Sequence, residues 1–252
     1  MRKVKSFGDR RRRHCFLWPV LLAGALVSTP SRAGELEVPS ALYDTIAEAL
    51  EAAADGDEIV LVNATYGGPG NRDLFISYKR VTIRSASDVP GSCTIDCGGS
   101  DRAFIFSSAL SSGSIIRGIK IVNGHADVRD PLAGGAILCL NSSPMIVNCI
   151  FQNNNSSGVN GGAIACVGGS SPTIKHCHFQ SNNSWLQLGG AIYSDNSALL
   201  ISHCTFVGNG TNAPALAGGA IYCHNSRLVM SQHRGRLLYF ARRHWRSISH
   251  GG

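Results

Sequence analysis

A short motif that recurs at a nearly constant interval constrains this 252-residue chain more than any other feature. The motif Gly-Gly-Ala-Ile occurs four times at spacings of 27, 28 and 29 residues, beginning at Gly134, Gly161, Gly189 and Gly218. In each of the first three units a Cys is followed two residues later by Phe, and three residues after that by Asn. These landmark residues are Cys149, Phe151, Asn154, Cys177, Phe179, Asn182, Cys204, Phe206 and Asn209. Self-similarity at such a period indicates a protein built from stacked units.

Each unit contains short β-type runs that are separated by clusters of Gly, Ser, Asn and Pro, and none has the spacing of an amphipathic helix. A unit of 27–29 residues with two or three short strands cannot bury its own apolar face, whereas stacked copies can. Each strand would then pair in parallel with its copy in the next coil, about 4.8 Å away. The repeat therefore predicts an all-β fold, a right-handed parallel β-helix.

The repeated residues have defined places in such a coil. Strand alternation points Cys149 and Phe151 to the same side, and in-register stacking places their equivalents in columns inside the solenoid. The Gly-Gly pair allows a sharp corner with positive φ. Asn154, Asn182 and Asn209 follow the strand at a fixed offset, and we expect them to stack as a ladder of amides that satisfies backbone groups of the turn.

A helical segment precedes the repeats. Residues 45–54 carry four apolar side chains on one helical face: Ile46, Ala49, Leu50 and Ala53. Asp44 is the predicted N-cap, and Asp55-Gly56-Asp57 ends the segment. A short N-terminal helix over the open end of a solenoid protects its core and strand edges from solvent.

The charge distribution divides the chain. The net charge of +7 arises from the two ends, because residues 34–226 hold nine basic and fifteen acidic residues and have a net charge of −6. This distribution argues against nucleic acid as a partner.

Residues 1–33 combine a basic start, an apolar stretch over 15–27 and Ser31-Arg32-Ala33, which predicts a secretory signal peptide; a retained membrane anchor is the alternative. No other segment could cross a bilayer as a helix, so the mature chain is predicted to lack a transmembrane domain.

The remaining boundaries follow from the repeat. Residues 34–133 are assigned to the N-terminal cap and first coils, 134–231 to the repeats, and 232–252 to an irregular basic tail. The tail lacks the pattern of the body and the repeat stops within a unit. A truncated or frame-shifted end is therefore favoured over a tail that binds a membrane or polyanion.

The repeated Gly-Gly-Ala-Ile and Phe-x-x-Asn motifs over about 134–225 resemble those of chlamydial polymorphic outer membrane proteins. Those proteins are exported autotransporters whose β-helical passenger domains act in adhesion. The segments 43–46 and 55–60 are similar to the start of many pectin-lyase-like β-helix proteins of environmental bacteria. The resemblance implies a β-helix at the outer membrane surface or outside the cell.

Cysteine and histidine are the first candidates for chemistry. The predicted mature chain holds eight cysteines, which could form inter-coil disulfides in an oxidising compartment or remain as buried, unpaired ladders. His176-Cys177-His178 resembles a set of metal ligands, but neighbours on a strand point to opposite faces and do not readily share one ion. No metal site is therefore predicted.

A polysaccharide lyase or hydrolase is the principal alternative to a binding protein. A lyase would need carboxylates for Ca²⁺ and a base, and a hydrolase would need paired carboxylates. The two candidate clusters are Asp96, Asp101 and Arg102, and Lys120, His125, Asp127 and Arg129. Neither has the motif of a pectate lyase or a polygalacturonase, so no catalytic residue or cofactor is assigned, and Ca²⁺ is expected only for a lyase.

Binding requires fewer specialised residues than catalysis. Trp185 lies in a variable loop and could stack on a sugar, or could cover the edge of the coil. We therefore predict an exported, non-catalytic β-helix scaffold that binds carbohydrate or another partner at the cell surface. A polysaccharide lyase or hydrolase, and a fragment of a longer surface repeat protein, are the alternatives.

Overall fold

The computed structural model describes residues 34–127, 134–157, 160–185, 188–211, 219–232, 234–235 and 239–242. The predicted signal peptide lies outside these residues. Within them the chain winds as a right-handed parallel β-solenoid with one α-helix near its start, which confirms the predicted fold. From residue 58 onward the chain passes in turn through three parallel sheets, called A, B and C below, and later coils add a short strand of a fourth sheet, D, between B and C.

The described strands form four sheets in which neighbours pair in parallel. Sheet A contains β1 (Glu35–Val38), β2 (Glu58–Leu61), β5 (Thr82–Ser85), β8 (Ile115–Arg117), β12 (Met145–Val147), β16 (Thr173–Lys175), β20 (Ala198–Ser202) and β24 (Arg227–Ser231). Sheet B contains β3 (Thr65–Gly67), β6 (Thr94–Asp96), β9 (Lys120–Val122), β13 (Ile150–Gln152), β17 (His178–Gln180), β21 (Thr205–Val207) and β25 (Arg234–Gly235). Sheet C contains β4 (Leu74–Ile76), β7 (Phe104–Ser107), β11 (Ile137–Leu140), β15 (Ile164–Val167), β19 (Ile192–Asp195), β23 (Ile221–His224) and β26 (Tyr239–Arg242). Sheet D contains β10 (His125–Ala126), β14 (Asn155–Ser157), β18 (Asn183–Trp185) and β22 (Gly210–Thr211).

Phenylalanine rings stack through the core of the repeats. Phe151 pairs in register with Phe179, and Phe179 with Phe206. Their ring centroids lie 4.8 and 4.9 Å apart, with planes within 8° and 3° of parallel. Because all three rings are buried, each contributes about 1.5–3 kcal/mol of hydrophobic stabilisation.

An asparagine ladder runs beside the rings. The backbone N–H and Nδ2 of Asn154 donate to Oδ1 of Asn182 at 3.1 and 3.0 Å, and Asn182 makes the same two bonds to Asn209 at 3.1 and 2.8 Å. The Nδ2 of Asn182 also donates to the carbonyl of Phe151 at 3.0 Å. Buried amides therefore satisfy backbone groups at the turn between sheets B and D.

The two positions of the Gly-Gly pair require glycine for different reasons. The first glycine has positive φ, for example 83° at Gly134 and 76° at Gly161. The second glycine lies against neighbouring backbone: a Cβ at Gly162 would be 2.1 Å from the carbonyl oxygen of Gly190. Only glycine fits a position where another backbone comes this close.

Eight described cysteines are buried free thiols: Cys93, Cys97, Cys139, Cys149, Cys166, Cys177, Cys204 and Cys223. Cys139 pairs in register with Cys166, and this column continues through Ser194 to Cys223. Burial raises the pKa of the Cys223 thiol to about 12. The thiols therefore act as small apolar side chains of the core, without disulfides between these coils.

Helix α1 (Ile46–Ala52) covers the start of the solenoid. Its buried residues Ile46, Ala49 and Leu50 join the same hydrophobic core as the strands. The N-cap is Thr45, so the prediction of Asp44 is wrong: the Thr45 side chain accepts from the Glu48 N–H, and the Glu48 carboxylate accepts from the Thr45 N–H. This reciprocal capping box satisfies two backbone donors together and fixes the start of the helix.

Two short strands lie within the basic tail. β25 pairs with β21 and β26 pairs with β23, so both extend sheets of the repeat region. They lie within residues 232–252, for which an irregular basic tail is predicted. A parallel sheet edge offers unpaired backbone groups, which can order a following segment without a side-chain motif.

Candidate functional site

An open cleft of about 450 Å³ lies between the last turns of helix α1 and the first strand of sheet C. Its lining combines aromatic and charged side chains from the helix and from the chain around β4. The lining residues are Ala47, Leu50, Glu51, Gly70, Arg72, Asp73, Leu74, Phe75, Ser77, Tyr78 and Lys79. We call this feature the cap cleft.

Two aromatic rings of the cap cleft are open to solvent. Strand β4 turns Leu74 and Ile76 into the core, so alternation turns Phe75 outward, where it is 56% exposed. Tyr78 follows the strand and is 82% exposed. Two large exposed rings in one cleft form an apolar surface that is open to a ligand.

The coil order explains why Phe75 is uncovered. In register, Phe75 is followed along the outward face of sheet C by Ile105, Leu138 and Ala165. Ala126 of sheet D packs with Leu138 and Ala165, and Ile105 packs against the same cluster. Sheet D begins with β10, so the coil that carries β4 has no such strand between sheets B and C.

Both cationic side chains of the cap cleft, Lys79 and Arg72, donate hydrogen bonds to other groups of the protein. The ammonium of Lys79 donates to the carbonyls of Leu50, Ala53 and Glu51 at 2.5, 2.6 and 3.4 Å. These bonds use all three donors of a lysine and cap the C-terminal end of helix α1. Arg72 donates from Nε to Asp101 Oδ2 at 3.0 Å and from Nη1 to a backbone carbonyl.

The two carboxylates of the cap cleft differ from these cations in their contacts. Glu51 and Asp73 are both exposed, and within the described residues neither carboxylate makes a side-chain hydrogen bond or an ion pair. The backbone of Asp73 adopts φ of 54°, and its N–H donates to the carbonyl of Arg102 at 2.7 Å. Asp adopts this left-handed conformation more readily than most residues, and the backbone hydrogen bond to Arg102 holds the turn that carries Asp73.

This combination suits a polar ligand with apolar faces. Aromatic rings stack against the C–H faces of sugar rings, and carboxylates accept hydrogen bonds from hydroxyl or amino groups. The open shape leaves room for a chain that continues beyond the cleft. The arrangement therefore offers apolar faces and hydrogen-bond acceptors in one open cleft.

The structure separates the predicted ladder residues from the cap cleft. The Phe, Cys and Asn landmarks lie in the core or at a turn away from the cleft, where they support the coils. Trp185 ends strand β18, is 52% exposed, and pairs in register with Ser157. It is not part of the cleft lining, so the structure does not bring Trp185 together with Phe75 and Tyr78.

The two charged clusters considered for catalysis have structural contacts. Asp96 accepts from the amide of Asn123 and from the backbone of Gly98, both at 2.9 Å. Asp101 pairs with Arg72, and Arg102 is 4% exposed. In the second cluster His125 lies on β10, and Arg129 is outside the described residues.

Sequence reasoning did not single out Phe75 or Tyr78. It also did not identify two contacts on the outward face of sheet C: Tyr193 stacks on Tyr222 with centroids 5.9 Å apart, and Asp195 Oδ1 lies 2.7 Å from His224 Nδ1. Burial raises the pKa of Tyr193 to about 12, so its hydroxyl stays protonated at neutral pH. A register-based alignment of outward positions could have placed these residues in one column.

No group of three or more His, Cys, Asp or Glu side chains in the described part of the chain is arranged to hold a metal ion. No helix there is long and apolar enough to cross a membrane.

The chain is similar to a protein family and to solved structures. The family of right-handed β-helix regions matches residues 71–229, and no curated protein matches the chain. Among solved structures, a pectin methylesterase from Aspergillus niger is 15% identical, with a TM-score of 0.39 and coverage of 89% of this chain and 87% of that chain. Escherichia coli YbhC is 9% identical, with a TM-score of 0.39 and coverage of 81% and 74%. Because the family match spans more than half of the sequence, this chain belongs to the family of right-handed β-helix proteins.

Proposed function

We propose that this protein is an exported, non-catalytic β-helix scaffold that binds carbohydrate at a cell surface, with the cap cleft as its binding site. The observation that carries the proposal is the pair of exposed rings, Phe75 and Tyr78, in a cleft of about 450 Å³. A solenoid supplies the rigid support that such a site needs, because β4 is held by pairing along sheet C.

The physical basis is the amphipathic character of sugars. A pyranose ring has an apolar C–H face that packs on an aromatic ring, and it has hydroxyl groups around its edge. In the cap cleft the rings of Phe75 and Tyr78 would receive the apolar face. Glu51 and Asp73 would accept hydrogen bonds from the edge.

The cellular setting is part of the proposal. Export rests on the signal-peptide pattern of residues 1–33, and adhesion rests on the resemblance of the repeats to chlamydial polymorphic outer membrane proteins. Trp185 is proposed as a second contact for a glycan that extends beyond the cap cleft, because its side chain is half-exposed at the end of β18.

The test is a binding titration of the purified chain against a panel of neutral, basic and acidic oligosaccharides. At least one panel member should bind, and both Phe75→Ala and Tyr78→Ala should weaken its affinity about tenfold or more. Val207→Ala is the control, since Val207 is 47% exposed but lies on sheet B. No binding across the panel, or equal binding by all three variants, would overturn the proposal.

A further inference from the structure

We propose that the cap cleft selects glycans that carry free amino groups, such as oligomers of glucosamine, over their N-acetylated counterparts and over uronate polymers. This inference rests on the proposed function, since it concerns the ligand class of the same cleft. It is drawn from a difference in contacts: the cations of the cleft bond to other groups of the protein, and among the described residues the carboxylates of the cleft do not.

The positive charges of the cleft have little capacity left for an anionic ligand. Lys79 directs its three ammonium donors to the helix carbonyls of Leu50, Glu51 and Ala53. Arg72 is paired with Asp101, and its side chain is only 23% exposed. A uronate carboxylate would have to displace these internal contacts, each of which involves a charged group, before it could gain a partner.

The negative charges are free to act on a ligand. Glu51 and Asp73 line the same cleft as the exposed rings, and the ion pairs among the described residues include neither carboxylate. A protonated amine on the sugar ring gains an ion pair with such a carboxylate. It also gains a cation–π contact with Tyr78 or Phe75.

The charge beside Arg72 agrees with this choice. Asp101 is an acidic group paired with Arg72, so this ion pair brings no net positive charge to the cleft wall.

The experiment compares three hexamers of matched length by titration calorimetry at low ionic strength: glucosamine, N-acetylglucosamine and galacturonate. We expect glucosamine to bind about three- to tenfold more tightly than N-acetylglucosamine, the range expected for one or two exposed ion pairs. Galacturonate should bind more weakly than either. The preference should diminish at high salt because exposed charges are screened.

Variants that each remove one carboxylate test whether the selectivity comes from the cap cleft. Glu51→Gln and Asp73→Asn should bring the ratio of the two affinities close to one while N-acetylglucosamine binding is retained. Glu37→Gln, which removes an exposed carboxylate on β1 outside the cleft, should leave the ratio unchanged. Equal binding of the two hexamers by the parent chain, or tighter binding of galacturonate, would overturn this inference and leave the proposed function standing. If no hexamer binds and the wider panel is also negative, the proposed function itself fails.

Discussion

The ammonium of Lys79 lies 2.5 Å from the carbonyl oxygen of Leu50, and this bond joins the chain after strand β4 to the last turn of helix α1. The same ammonium contacts the carbonyl of Ala53 at 2.6 Å. One side chain therefore closes one wall of the cap cleft and satisfies helix carbonyls that have no partner within the helix.

Removal of the Lys79 charge should loosen the cap. Lys79→Met retains most of the aliphatic stem but leaves the helix carbonyls without their donor, and we expect a loss of about 1–3 kcal/mol in the free energy of unfolding. Urea denaturation measures this change. Lys175→Met, on β16, is the control and should change stability by less than about 0.5 kcal/mol. Equal stability of the two variants would show that the Lys79 contacts do not hold the cap.

The asparagine ladder predicts that substitutions of the adjacent residues Asn182 and Asn183 differ strongly in their effect on stability. Asn182→Ala removes the acceptor for two Asn154 donors and the donor to the Phe151 carbonyl, so we expect a loss of about 3 kcal/mol or more. Asn183→Ala is the matched control, because Asn183 Oδ1 has no hydrogen-bond partner among the described residues. Denaturation midpoints of the two variants decide the matter, and similar values would contradict the structural role of the ladder.

The second glycine of the repeated pair should not tolerate even one methyl group. Gly162→Ala places a Cβ 2.1 Å from the carbonyl oxygen of Gly190, so the backbone must move and stability should fall by about 3 kcal/mol or more. Gly91→Ala is the comparison, since a Cβ there meets no atom within 4 Å. Thermal unfolding should separate the two variants clearly, and a Gly162→Ala protein as stable as the parent would disprove the close packing of the coils.

Buried thiols should resist alkylation. Burial raises the pKa of Cys93, Cys97 and Cys223 to about 12, so at pH 8 these groups stay protonated and lack the reactive thiolate. Mass spectrometry after iodoacetamide treatment should find the eight described cysteines unmodified in the folded protein and all modified in denaturant without a reductant. The variant Val207→Cys supplies an exposed thiol as a positive control. Fewer than eight modifications after denaturation would indicate disulfides.

The same pKa shifts predict that the folded protein becomes less stable at alkaline pH. Because the folded pKa lies above the ordinary thiol value of 9.0, the unfolded chain releases these thiol protons first. Their contribution to stability is therefore complete below pH 9 and is lost progressively between pH 9 and about pH 12. Urea midpoints at pH 8 and pH 10.5 should show this decline.

The repeat was sufficient to predict the fold because its side chains have periodic structural tasks. Cys149 and Phe151 alternate correctly for one face of a strand, and Gly161-Gly162 recurs where the backbone turns and meets its neighbour. The N-cap was mistaken because both Asp44 and Thr45 are suitable residue types. The spacing from Thr45 to Glu48 matches a capping box and favours the observed choice.

The cap cleft could not be predicted in the same way. Phe75 and Tyr78 lie in an early coil that carries no repeat motif, so the sequence does not show which of Leu74, Phe75 and Ile76 faces outward. The exposure of Phe75 also depends on the absence of a sheet D strand from its coil, which is a property of the tertiary arrangement. Trp185 was visible from the sequence, but its absence from the cleft lining was not.

The most direct test of a glycan site in the cap cleft is hydrogen exchange of backbone amides with and without a saturating glucosamine or N-acetylglucosamine hexamer. The account predicts slower exchange within residues 70–79 and in the last turn of helix α1, and no such change in the Phe75→Ala and Tyr78→Ala variants. Protection confined to the strand that ends at Trp185, or no localised protection with either hexamer, would contradict the assignment of the cap cleft as the binding site.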